Sequence, residues 1–189
     1  MPKTDLPEPL GWSAARLSRA LEAREIGAAE LMQATLAQID RENPGANAIV
    51  SLRDPEALLA EAKAADDRPR KGALHGLPMA IKDLAHVAGL PTTFGSPAVS
   101  HRPSKTSDIH VARMQAAGAI VIGKTNTPEF GLGSNTFNPV FGATPNAHHP
   151  NLTAGGSSGG AAVALARGLV PVADGSDMMG SLRNPAGWN

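Results

Sequence analysis

Apolar positions recur at three- and four-residue steps up to about residue 66 and then give way to short apolar runs between long polar connections. Leu17 and Leu21 share a face behind Ser13, whose hydroxyl suits an N-cap. This predicts a helix to about Arg24, with Gly27 as its stop. Leu31, Thr35, Leu36 and Ile39 predict a second helix over 28–42, ended by Asn43-Pro44-Gly45. A short strand follows over 48–52. Asp54-Pro55 then supplies a cap and a proline at the first helical position, opening a third helix to about Asp66.

Beyond 68–72 (RPRKG), read as a solvated basic loop, the pattern changes. Met79-Ala80-Ile81 is a short apolar strand that ends at Lys82-Asp83. Ser107 is expected to cap a helix to about Ala117, Gly118 closes it, and 119–122 is a β-branched strand. From 125 to 156 the chain is dense in Asn, Pro, Gly and Thr and reads mostly as loop. Connections that long are uncommon in compact domains unless they build a site. A small-residue helix over 159–168 lies beyond them. Helices alternating with short buried strands indicate an α/β sheet.

Composition narrows the classes. Lys+Arg and Asp+Glu are both 17 in 189 residues, which argues against a nucleic-acid footprint or a polybasic membrane patch. No cysteine is present, so disulfides and thiolate metal sites are excluded. The N-terminal stretch MPKTDLPEPLGWS has no apolar core of a secretory signal, and the most apolar window, 159–173, is broken by Arg167 and Pro171. A soluble, cytoplasmic protein is the expectation.

Two stretches invite a chemical reading. Residues 118–125, GAIVIGKT, formally fit a phosphate-binding loop. Their variable positions are Ala-Ile-Val-Ile, which favour strand over loop, and Asn126-Thr127-Pro128 is a poor helix start. The better candidate is 154–185, in which Ser157-Ser158 lies between glycine pairs and Ser181 follows Gly180. Such backbone freedom is costly where a segment only has to pack. A serine hydroxyl needs a base before it attacks. The six histidines have no triad-like setting, and adjacent His148-His149 make a poor metal site. Lys82, at the end of an apolar strand, is the remaining candidate base, because desolvation lowers a lysine's pKa. Alone it reads more readily as a strand-end surface cation.

The combination GLPMAIKD (76–83), GKTNTPEFG (123–131), AGGSSGGAAVALARGLVP (154–171) and DGSDMMGSLRNPA (174–186) resembles the amidase signature family. The blocks run in that family's order, with 181 − 157 = 24 positions between the two serines. The resemblance implies an α/β amidase-signature fold, a mixed sheet covered by helices, with 1–70 a helical lead-in and 72–189 the catalytic core segment. It implies Ser181 as nucleophile, Ser157 as a bridging serine after a cis Gly156-Ser157 bond, and Lys82 as base, with no metal or organic cofactor. Ser158 is the local alternative for the bridging role. Backbone amides of Met178, Met179, Gly180 and Ser181 are the candidate oxyanion donors. The family commonly reads D-x-G-G-S there, whereas this chain has Asp177-Met178-Met179-Gly180-Ser181. Asp177 and Arg183 are expected to brace the turn, with Ser176 and Asn126 in support.

The implied activity is hydrolysis of a small-molecule carboxamide through a seryl acyl-enzyme. Relatives continue for a few hundred residues past the nucleophile, so the chain is expected to be the N-terminal piece of a longer enzyme, or one chain of a split one. Its partner is then the C-terminal remainder, with no nucleic acid or membrane, and a homodimer is compatible. Two alternatives stay open: the amide-transferring component of a tRNA-dependent amidotransferase, and an inactive scaffold. The tail Leu182-Arg183-Asn184-Pro185-Ala186-Gly187-Trp188 departs from the pattern such amidotransferase components usually show.

Overall fold

The computed structural model describes residues 6–189; the first five, at the start of the stretch read as lacking a secretory signal, lie outside the described residues. Three helices come first. Helix α1 (Ala14–Glu22) is capped by Ser13, whose Oγ accepts from the Arg16 N–H at 3.2 Å. It stops two residues before Arg24, which turns into the left-handed region at φ 56°. Helix α2 (Ala28–Ala46) overruns its expected end and carries Pro44 within its last turns. Asn47 in the left-handed region ends it, and the Asn43 Oδ1 gathers the Ala48 and Ile49 N–H groups that the turning chain frees. Helix α3 (Pro55–Asp66) has the expected Asp54 cap and leading proline.

Strand β1 (Ile49–Val50) is shorter than the pattern suggested, because Ser51 takes φ 50°. It pairs antiparallel with β3 (Ile120–Thr125), while β2 (Pro78–Lys82) pairs parallel with β3 and with β6 (Val172–Ala173). The sheet is mixed, in the order β1-β3-β2-β6. Residues 120–125 are buried strand, so the apparent phosphate-binding loop has no loop to offer. Helix α4 (Ile109–Ala116) begins after Asp108 rather than at Ser107. The Ser107 hydroxyl instead accepts from the Ala88 N–H and donates to Gln115, knitting the preceding loop to the helix. The long connection 125–156 holds a small hairpin of β4 (Phe137–Asn138) and β5 (Gly142–Ala143).

Helices cover both faces. Met32, Ile39, Leu58, Val163 and Ala164, from α2, α3 and α5 (Gly159–Ala166), pack with Ala80, Ile120 and Ile122 on one. On the other, Val111 of α4 meets Met79, Ile81 and Val121. Leu17, Leu31 and Leu77 are fully buried where α1 and α2 meet the start of β2, each contributing about 1.5–3 kcal/mol. Helix α5 lies against the sheet's end so closely that a Cβ on Gly160 would sit 2.3 Å from the Asn126 nitrogen. Alanine, glycine and valine are what that approach requires. A one-residue slip in the β2–β3 register between Met79 and Ala80 changes which side chains share a face. Lys124 consequently sits opposite Ile81, not Lys82, and the two lysines leave opposite faces of the sheet. Among the described residues no helix is long and apolar enough to cross a membrane.

Candidate active site

Lys82 ends β2 with its side chain buried, 2% exposed for the whole residue, because Ala80 before it lines the α5 face. Its Nζ meets three hydroxyls: Ser157 Oγ at 2.7 Å, Ser158 Oγ at 2.9 Å and Ser176 Oγ at 3.0 Å. Among the described residues no carboxylate ion-pairs with it. Desolvation pulls this ammonium down to about 8, against the opposing fields of Asp174 and Asp177. A lysine in that range is substantially neutral at mildly alkaline pH and able to accept a proton.

The two adjacent serines differ in their commitments. The Gly156-Ser157 peptide is cis, and the Ser157 Oγ has Lys82 as its one hydrogen-bond partner among the described residues. Ser158 instead joins two segments. Its N–H donates to Ser181 O at 2.9 Å, its Oγ donates to Ser176 O at 3.3 Å, and that Oγ accepts from the Ser176 N–H at 3.4 Å. Ser158 thus has its proton directed at a carbonyl, whereas the hydroxyls of Ser157 and Ser176 have only Lys82 as a hydrogen-bond partner among the described residues.

Ser181 follows Gly180, whose φ of 100° suits glycine and places the turn. The Ser181 hydroxyl is half-buried, with no protein partner among the described residues. Asp177 organises this turn as expected. Its carboxylate accepts from the Gly180, Leu182 and Arg183 N–H groups and from the Arg183 guanidinium at 2.9 and 3.0 Å. The guanidinium first, and the Gly180 amide next, hold the Asp177 carboxyl well below the usual carboxylate range. This corrects one expectation: the Gly180 amide points at Asp177 at 2.7 Å and is not available to an oxyanion. The N–H groups of Met178, Met179 and Ser181 carry no protein acceptor among the described residues, and both methionine side chains are exposed.

Asn126 is buried but turned away from the serines. Its amide donates to Gly142 O and Thr144 Oγ1, and its Oδ1 accepts from Asn138, so it fastens the long loop. Ser176 does reach Lys82. Sequence reasoning missed a second buried lysine. Lys124 donates to Asp83 Oδ1 at 3.0 Å, Ala85 O at 2.7 Å and Thr92 Oγ1 at 3.1 Å. Desolvation lowers Lys124 too, with Asp83 opposing. Its three hydrogens are all used, which makes it structural. His110 and Asp174, 3.3 Å apart, were missed as well. Among the described residues no cluster of three or more histidine, cysteine, aspartate or glutamate side chains is arranged to hold a metal.

A family model described as Amidase matches residues 30–189. The chain belongs to the amidase signature family. It is 44% identical over 172 residues to the A component of the glutamyl-tRNA(Gln) amidotransferase of Chloroflexus aurantiacus, covering 88% of this chain and 35% of that protein. Among solved structures, an amidase superposes with TM-score 0.87 at 37% identity, covering 94% of this chain and 41% of that one. The peptide amidase from Stenotrophomonas maltophilia gives TM-score 0.87 at 32% identity, with coverage of 95% and 39%. The chain therefore spans about a third of the length of the curated relatives it matches.

Proposed function

We propose that this chain carries the catalytic serines and lysine of an enzyme that cleaves a carboxamide through a seryl acyl-enzyme. The observation that carries the reading is a buried Lys82 Nζ held by hydroxyls alone, 2.7 Å from Ser157. Neutral Lys82 accepts the Ser157 proton, and Ser157 accepts that of Ser181 as its Oγ attacks the amide carbonyl. The tetrahedral oxyanion is met by amides of the 178–181 turn, with Met178, Met179 and Ser181 the ones left without acceptors among the described residues. As the C–N bond breaks, the proton returns along the relay to the leaving nitrogen. Water then repeats the sequence to release the carboxylate.

A second reading is favoured by the 44% identity to a component of a glutamyl-tRNA(Gln) amidotransferase: the same cleavage, with the ammonia handed to another site rather than released. Both readings share the acyl-enzyme. In the intact enzyme, a fluorophosphonate probe is expected to label Ser181, and Ser181→Ala to abolish both labelling and ammonia release from amides while leaving the fold intact. Wild-type turnover by a folded Ser181→Ala protein would remove the mechanism.

A further inference from the structure

Strand β6 is two residues long, and the way it ends ties the lysine to the serine turn. Val172 and Ala173 pair with Met79 and Ala80, and the ladder's last link is the Asp174 N–H donating to Ala80 O at 3.4 Å. From there the chain leaves the sheet toward Ser176, Asp177 and Ser181. The next N–H along this edge of β2 belongs to Lys82, and no strand remains to accept it. The side chain of Asp174 does so through Oδ1. Its other oxygen accepts from the Nε2–H of His110, in the first turn of α4, at 3.3 Å. Three separate elements thus converge on one carboxylate whose side chain is only 12% exposed. It borders a cavity of about 320 Å³ lined also by Lys82, Asp108, His110 and Ser176.

We propose that Asp174, steadied by His110, is a positioning residue for Lys82: it fixes where the lysine leaves the sheet and sets the charge against which the ammonium loses its proton. The proposal rests on the reading of Lys82 as the base. Other charged groups around the lysine do not duplicate this part. Asp177, on the serine turn, also favours the ammonium but is neutralised by Arg183. Asp108 lies across the cavity and accepts from the His86 N–H. Lys124 is on the opposite face of the sheet and paired with Asp83. Helix α5 carries no titratable side chain, and of the charged residues of α2, Glu30, Asp40 and Arg41 are exposed and Glu42 pairs with Arg167. Asp174 alone combines a carboxylate with a bond to the lysine's own backbone. A carboxylate there raises the lysine's pKa, so removing its charge lowers the pH at which the base forms.

The test is the pH dependence of kcat/KM in the intact enzyme. Asp174→Asn keeps an oxygen for the Lys82 N–H and removes the charge, so the midpoint of the rising limb should fall by about one pH unit. Asp174→Ala also removes the acceptor and should lower the high-pH plateau by about a further tenfold, which a purely electrostatic role would not do. His110→Lys sets a permanent cation against the same carboxylate and should move the midpoint down as well; it decides the matter if Asp174→Asn does not fold. A midpoint in Asp174→Asn within about 0.2 units of wild type overturns the proposal. A wild-type profile with no rising limb would instead sink the reading of Lys82 as base.

Discussion

Lys82 is the last residue of β2 and Lys124 the last but one of β3, on opposite faces of one sheet, yet among the described residues only Lys124 of the two has a carboxylate against its ammonium. Both are fully buried, and burial lowers the proton affinity of both. What separates a structural cation from a candidate base is the partner. Asp83 pairs with one, whereas the other meets three hydroxyls. The contrast gives each lysine a distinct expected phenotype.

Lys124→Met leaves the Asp83 carboxylate buried without its cation and should cost about 3–5 kcal/mol of stability by chemical denaturation. The Lys124→Met/Asp83→Asn pair should recover part of that loss. Equal stability of the single variant and wild type would show the pair to be dispensable.

Amide cleavage should rise with pH through an apparent midpoint near 8, because the neutral amine is the active form. Lys82→Arg should be nearly as damaging as Lys82→Ala, since guanidinium stays protonated. The sign for stability follows from the same shift. The folded lysine releases its proton near 8 and the unfolded one near 10.5, so stability should increase with pH between those values. Flat activity from neutral to alkaline pH, or an active Lys82→Arg enzyme, would point to another base.

Ser157 and Ser158 should separate cleanly. Ser157→Ala removes the relay hydroxyl and should lower kcat by about a thousandfold or more with little change in melting temperature. Ser158→Ala removes a link between the Lys82 strand and the 176–181 turn and should cost about 1–2 kcal/mol, with a smaller loss of rate. Reversed phenotypes in steady-state kinetics and thermal melts would reassign the bridging role.

Asp177→Ala should cut activity far more than Arg183→Ala. The carboxylate holds three backbone amides of the turn, whereas the Arg183 side chain is 75% exposed and supports only the carboxylate. Arg183→Ala is expected to retain activity within about tenfold. Parallel kinetics on the two variants decide it.

The sequence made α1, α3 and the lysine strand legible because caps, prolines and apolar spacing are local signals. The juxtaposition of Lys82 with Ser157 was legible only through linked blocks in a fixed order, not through any one of them. The Lys124–Asp83 and His110–Asp174 pairs were not legible. Their members lie 41 and 64 residues apart, and each alone reads as an ordinary surface charge. Pro44 misled for the opposite reason: its local signal says stop, but the Asn43 side chain collects the following N–H groups and the helix continues to Ala46. The commitment of the Gly180 amide to Asp177 follows from the turn's folded geometry, which spacing alone does not encode.

Three hydroxyl oxygens around one amine also impose a count. Charged, Lys82 has a hydrogen for each of Ser157, Ser158 and Ser176. Neutral, it keeps two hydrogens and gains a lone pair, so one hydroxyl must rotate and donate inward. Ser158 is held from that rotation by its bond to the Ser176 carbonyl. Among the described residues Ser157 and Ser176 have no such tether; under the proposed relay it is Ser157 that turns round as the lysine loses its proton, which frees its oxygen to receive the next.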